Sequence, residues 1–461
     1  MTTSAKRCGW ARFFIVILAL PAAFAWGFAS SATRIFPHDV VWSLHRWARN
    51  QPTLRGAYHW IAGRPPGEWK SAERRAPGGG GRDEIRARLS AVGYLAGYEP
   101  APGVEGVTVY DPRRAYNGLN LYVSGHAPEA TLTDMRGNVL HRWRYEFREA
   151  FPDDPPTMRP NAKNFWRRAH LLRNGDILVI YDYAGLIKLD RDSNLRWANP
   201  APFHHDLFAS GDGEISALSV SQGGGPEEAL DDLITVLDPA GNIVQRVSLR
   251  AAFERSRYAS LLPETPRYFH TNTVELLDGS LADRWPLFKR GNALISLRDL
   301  DVIAIVDMEK REVVWALSGQ WRRQHQPTLL ANGHILLLDN VGHFGMSKVI
   351  EMDPFTQEVV WMYGGDTTNG FSTVTCGSAQ RLPNGNTLVT ESDSGRAFEV
   401  TADHEIVWEF YNPARAGKKG ELIATLFEMV RIDAAAASEW LPGETATQAP
   451  LFAEEPERPS H

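Results

Sequence analysis

Cysteine is scarce in this chain. There are two, Cys8 and Cys376. Cys8 stands ahead of an apolar run near the N-terminus, so no internal disulfide is expected. Phosphate-cradling glycine patterns are also missing. Neither a G-x-G-x-x-G nor a P-loop follows a strand-like run, and no nucleotide site is indicated. There is no basic excess: 49 Lys and Arg against 55 Asp and Glu leave a net charge of −6. That balance argues against nucleic acid as the main partner. What remains is ordinary globular composition, 43% hydrophobic and 23% charged over 461 residues, ample for a large core.

The N-terminus is read separately. Lys6, Arg7 and Arg12 precede residues 13–29, which carry no charge and are interrupted by Pro21 and Gly27. A basic flank, an apolar run and small residues after it describe an export signal. The run is also just long enough to span a bilayer. A cleaved signal and an uncleaved membrane anchor both fit; the tether-like segment that follows favours the anchor. Either way the positive-inside rule puts the bulk of the chain outside the cytoplasm, facing the periplasm or the exterior. Residues 38–62, rich in Trp, Leu and Arg, suit an interfacial helix or one packed on the main domain. Residues 63–82 read as a Pro- and Gly-rich linker, and residues 83–98 as a short amphipathic helix.

From residue 106 the chain repeats itself. One unit reads Gln324-His325-Gln326, then an Asn332-Gly333 turn, an apolar strand, a second strand to Asp353, and a third closing on Trp361. Asn-Gly between apolar runs marks a hairpin, because both turn positions take positive φ readily. Related units are built on Asn174-Gly175, Asp212-Gly213, Asp278-Gly279 and Asn384-Gly385, with a half-copy over residues 120–143. Six units of short strands at a period of 40–50 residues predict an all-β, six-bladed β-propeller over residues 106–415. It would be flanked by short helices and preceded by the signal or anchor helix (residues 1–32) and a membrane-proximal segment (33–105). The closing tryptophans Trp315, Trp361 and Trp408 are expected as wedges between blades. Residues 253–262 read as a helical insertion. Residues 420–440 read as a closing helix, within a C-terminal helix-and-tail region over residues 416–461.

Aligning the units on their turns brings polar residues into register. His204, His270 and Cys376 each stand eight residues before the turn Asp or Asn, and His325 stands seven before Asn332. Innermost propeller strands line a central channel, so these side chains should converge at one rim. Asn272 lies one strand step beyond His270 on the same face. Arg298 suits either an ion pair with Asp299 or Asp301, or an anion clamp. Neutral imidazole is a nucleophile, a proton carrier or a metal ligand. Three histidines also invite zinc, but no acidic residue at a matched position supports a metal, and none is expected. His, Arg and Asn together suit a group with charged oxygens, as in phosphoryl or sulfuryl transfer.

The segments His270-Thr271-Asn272, Ser296-Leu297-Arg298-Asp299, Gln324-His325-Gln326 and Leu338-Asp339-Asn340 resemble the bacterial arylsulfate sulfotransferases over roughly residues 106–412. So does the Gln380-Arg381-Leu382-Pro383-Asn384-Gly385 turn. The resemblance implies a six-bladed propeller that moves a sulfuryl group from a phenolic sulfate ester to a phenol. A transiently sulfated histidine carries the group, and neither a nucleotide donor nor any other cofactor is needed. Carried over by motif, His325 is the nucleophile. His270, Asn272 and Arg298 hold sulfuryl oxygens and assist proton transfer, and His204 or His205 completes the set. Phe203, Phe269 and Phe371 are candidate platforms for aryl rings, with Cys376 beside them. The expected partners are a small aryl sulfate donor, a phenolic acceptor and the membrane; a homodimer is a further expectation. The chain departs from the family in lacking the paired cysteines and in its insertion over residues 281–291. The competing class is a non-catalytic exported propeller that binds a glycan, peptide or protein. A quinone-cofactor dehydrogenase, with eight blades and a calcium site, fits the count of six less well.

Overall fold

The computed structural model describes residues 69–71 and 103–441, except for 156, 211–212, 222–229, 264–268, 320, 343–344, 366–369 and 418–419. The expected anchor, the amphipathic stretches before residue 103 and the far C-terminal tail lie outside the described residues, as does Asp212. Among the described residues no helix is long and apolar enough to cross a membrane.

The repeats fold as six antiparallel sheets arranged as the blades of a propeller. Blades two to six open on innermost strands Arg168–Leu171, Phe203–Ala209, Thr271–Leu276, His325–Leu329 and Ser378–Arg381. The second strand of each blade is buried almost throughout and mostly apolar, as in Ile335–Asp339, because it is packed on both faces. Gly333 turns the blade-five hairpin at φ 82°, a conformation that asparagine-glycine turns supply at little cost.

Closure corrects one expectation. The region 420–440 is not a closing helix. Leu426–Ile432 is a strand, and it pairs with Leu119–Ser124 as the innermost strand of blade one. Only Ala434–Ala437 is helical, capped by the Asp433 carboxylate, which accepts from the Ala435 amide at 2.9 Å. The strand prevails because blade one would otherwise present an unpaired edge to the channel. Gly106–Tyr110 does not open blade one either. It is the outermost strand of blade six, against Ile406–Tyr411. Each end of the domain thus completes a blade begun by the other.

Tryptophans fasten blade to blade. The indole Nε1–H of Trp143 donates to the Gly175 carbonyl (3.1 Å), Trp197 to Pro239 (3.1 Å), Trp361 to Ala402 (3.0 Å) and Trp408 to Met135 (2.9 Å). Trp315 instead meets Trp285 of the 281–291 insertion, ring centroids 5.7 Å apart. The helical insertion begins slightly earlier than the periodicity suggests, as Leu249–Glu254 followed by a turn at Ala259–Leu261.

Candidate active site

The chain enters four of the innermost strands through a strained residue. His205, His270, Gln326 and Cys376 have φ of 54°, 55°, 51° and 57°, a left-handed region that side-chain-bearing residues avoid. In blades three, four and five a β-bulge lies at the same place, between Phe203 and Leu207, Thr271 and Thr273, and His325 and Thr328. A bulge re-aims side chains that a regular pleat would send alternately to opposite faces. Here it brings His205 of blade three against His270 of blade four, ring centroids 4.7 Å apart.

His325 is 4% exposed. Its Nδ1 lies 2.6 Å from Asn340 Oδ1 and 3.0 Å from the Arg323 carbonyl oxygen. The Asn340 amide is oriented by its own Nδ2, which donates to the carbonyls of Thr373 (2.8 Å) and Cys376 (2.7 Å). Oδ1 and the Arg323 carbonyl can only accept, so Nδ1 carries the proton and Nε2 keeps its lone pair. Burial, and next the charges of Arg298 and Arg167, pushes His325 down to about 3. The ring is neutral at any ordinary pH.

The histidine doublet divides into two roles. His205 Nε2 is 3.0 Å from His270 Nε2, whereas His204 lies fully buried behind, stacked on Tyr183 at 4.9 Å with its Nδ1 2.8 Å from His205 Nδ1. His204 Nε2 lies 3.4 Å from Asp232 Oδ1, and the other Asp232 oxygen accepts from the Thr271 amide and hydroxyl. The three imidazoles form a file from buried Asp232 to His270. Burial, then His270 and His204, hold His205 well below its ordinary pKa. Burial, then Arg298 and Arg159, do the same for His270. Asp182 accepts from the His205 amide (3.2 Å) and pairs with Arg159 (3.0 Å).

Arg298 bonds Asp299 at 2.5 Å, and with side-chain exposures of 14% and 19% Arg298 and His270 reach toward solvent. Asn272 is buried and donates to the Gln324 carbonyl (2.8 Å). Gln324 in turn donates to the Val302 carbonyl and Ser296 hydroxyl, pinning the segment before His325. Below this layer Arg168 bonds Asp206 (2.8 Å) and Glu428, joining blades one, two and three.

The aromatic expectations are corrected. Phe203, Phe269 and Phe371 are 0%, 1% and 6% exposed and belong to apolar cores of the blades. Each faces a hydrophobic layer rather than the channel, so none is a platform for an aryl ring. Cys376 takes part through its carbonyl, and its side chain packs against the core of the first two blades. Arg167 and Asn340 were not among the expected site residues. The signal for both was present. Arg167 stands seven residues before Asn174, as His325 does before Asn332, and Asn340 stands seven after Gly333, as Arg298 does after Gly291.

The family model of arylsulfotransferases matches residues 170–413, more than half of the chain. The chain belongs to the arylsulfotransferase family. No curated protein matches it. Similar solved structures include a protein of unknown function from Bacteroides caccae, 11% identical over 68% of this chain and 98% of that one, TM-score 0.45. Another is a streptogramin B lyase, 15% identical over 72% and 95%, TM-score 0.41. These likenesses are too distant to bear on the site. Within the arylsulfotransferase match lie His204, His205, His270, Asn272, Arg298 and His325, whereas Arg167 lies just before it.

Proposed function

We propose that this arylsulfotransferase moves a sulfuryl group from a phenolic sulfate ester to a phenol through a sulfo-histidine on His325, without a nucleotide donor. One observation carries the reading. A buried, neutral imidazole has its Nδ1 proton committed to two oxygen acceptors, leaving Nε2 as the nucleophile. Attack of Nε2 on sulfur forms the N–S bond as the S–O bond to the aryl group breaks. The positive charge that develops on the ring is met by Asn340 Oδ1 and the Arg323 carbonyl. Arg298, whose charge acts on the His325 ring, and Asn272, whose amide keeps one N–H beyond its bond to the Gln324 carbonyl, are the donors this reading assigns to the sulfuryl oxygens. The negative charge of a bound sulfate ester favours the protonated form of His270, which then hands that proton to the departing phenolate and, once neutral, takes one from the incoming phenol. His205 and His204 behind it supply a hydrogen-bonded path on which that proton is shared. Splitting the transfer in two implies double-displacement kinetics.

The test is release of p-nitrophenol from p-nitrophenyl sulfate by the full chain, with and without phenol, beside His325→Asn. Phenol-dependent release that vanishes in the variant, with acid-labile sulfate on wild-type His325, is expected. No release from folded wild-type protein would favour a channel that only binds. The export reading of residues 13–29 belongs to the same proposal. An alkaline phosphatase fused after residue 441 should be active only if the domain leaves the cytoplasm.

A further inference from the structure

Arg167 is a buried cation that nothing described so far uses. It is 6% exposed, and its amide is fixed by donation to the Ile180 carbonyl at 2.8 Å. Its guanidinium lies over the Phe427 ring, 5.1 Å from the centroid, and that ring is backed by Phe165 at 5.0 Å. Its neighbour Arg168 has Asp206 and Glu428. Among the described residues no carboxylate stands within ion-pair distance of Arg167. Burying a guanidinium without a counter-charge is costly, and a single ring face does not offset the lost hydration.

Its place in the fold points to the reason. Arg167 immediately precedes the innermost strand of blade two, as His270 precedes that of blade four. It also shares the turn register of His325. Its neighbour Arg168 reaches Asp206 beside His205 (2.8 Å) and Gln326 beside His325 (3.3 Å), and the charge of Arg167 helps hold both rings below their ordinary pKa, in keeping with that placement. Arg298, the cation expected there from the sequence, is partly neutralised by Asp299.

We propose that Arg167 is a second oxyanion-binding residue of this site, which with Arg298 holds the oxygens of a sulfate or sulfate monoester beside His325. The planar fork offers two parallel N–H donors to two oxygens of one tetrahedral group. Phe427 holds it without competing for those donors. The role as a sulfuryl clamp rests on the sulfotransferase reading; the anion site does not.

The experiment uses the full chain as wild type, Arg167→Met and Arg167→Lys, with two readouts. The first is the thermal midpoint against added inorganic sulfate. Sulfate stabilises most proteins by exclusion, so the variants serve as the baseline. A saturable extra stabilisation of wild type is expected, with apparent affinity weakened at least ~10-fold in Arg167→Met. The second is kcat/KM for p-nitrophenyl sulfate, which should fall about 10²-fold in Arg167→Met and recover in part in Arg167→Lys. Equal sulfate responses in wild type and a folded Met variant would overturn the proposal, even if turnover were lost. A weakened sulfate response with no turnover in wild type would uphold the anion site and remove the transferase reading instead. Should the Met variant not fold, Lys decides: it keeps the charge but not the fork, and an unchanged sulfate affinity there overturns bidentate binding.

Discussion

At the scale of single residues, Asn340 is the side chain on which the chemistry of His325 depends. Three of its four hydrogen-bonding positions are taken by one imidazole and two carbonyls, so it cannot flip without losing three bonds. Asn340→Leu keeps most of the volume and leaves the Nδ1 proton with the Arg323 carbonyl as its one weaker acceptor. Sulfuryl transfer should fall about 10–10²-fold with KM little changed, since ground-state binding does not use the tautomer. A pH–rate profile separates this from simple misfolding. Glu275 offers a second test at this scale. Its Oε2 accepts from the Leu329 amide, and burial raises its carboxyl to about 8. A raised folded pKa favours folding below the unfolded value and loses that advantage as pH climbs through 8. Glu275→Gln should match wild type near pH 5 and melt at a higher temperature at pH 8 and above.

At the scale of elements, the bulged strand start places the site, and the tryptophan at the blade end holds the site's frame. The Trp408 indole is fully buried and reaches across the closing seam from blade six to Met135 of blade one. Trp408→Phe removes that donor and leaves a buried carbonyl unpaired. A loss of about 1–3 kcal/mol is expected, read as a lower urea midpoint. The matched ends of the second strands serve the site as well. Asp182, Arg298 and Asn340 stand at equivalent positions after their turns, and they bond His205, Asp299 and His325 respectively. One repeat position supplies the polar residues and another supplies most of the groups that orient them.

At the scale of the whole molecule, the ring is only as secure as its closure. Ending the chain at residue 425 would delete the strand Leu426–Ile432, expose the edge of Leu119–Ser124 and remove Glu428 from Arg168. Such a chain should aggregate rather than unfold cooperatively, as seen by light scattering on refolding. The buried histidines also give the domain an acid limit. For His205, His270 and His325 the folded pKa lies below the ordinary value of 6.5, so below that pH the unfolded chain binds protons that the folded one refuses. Stability should be fullest above pH 6.5 and fall as pH drops, for His325 down to about 3. His325→Asn should show a shallower decline of melting temperature between pH 6.5 and 5.

Local chemistry by itself determined much of this protein. The Asn-Gly and Asp-Gly turns, the alternation of short apolar strands and the closing tryptophans specify six blades, because hairpin geometry and strand burial are settled within about forty residues. The register of His204, His270, His325 and Cys376 against those turns singled them out as one candidate set, of which His204 and His270 meet through His205, and the motifs around them pointed to the family. Only the tertiary structure decided the rest. Which histidine of the doublet faces His270 depends on a bulge that reverses the side-chain alternation, and no pattern of residue types reports φ at His205. Phe203, Phe269 and Phe371 stand beside the site in the chain yet face the inter-blade cores. Residues 426–432 are a strand because an edge more than 300 positions earlier lacks a partner, and such long-range pairing leaves no local trace.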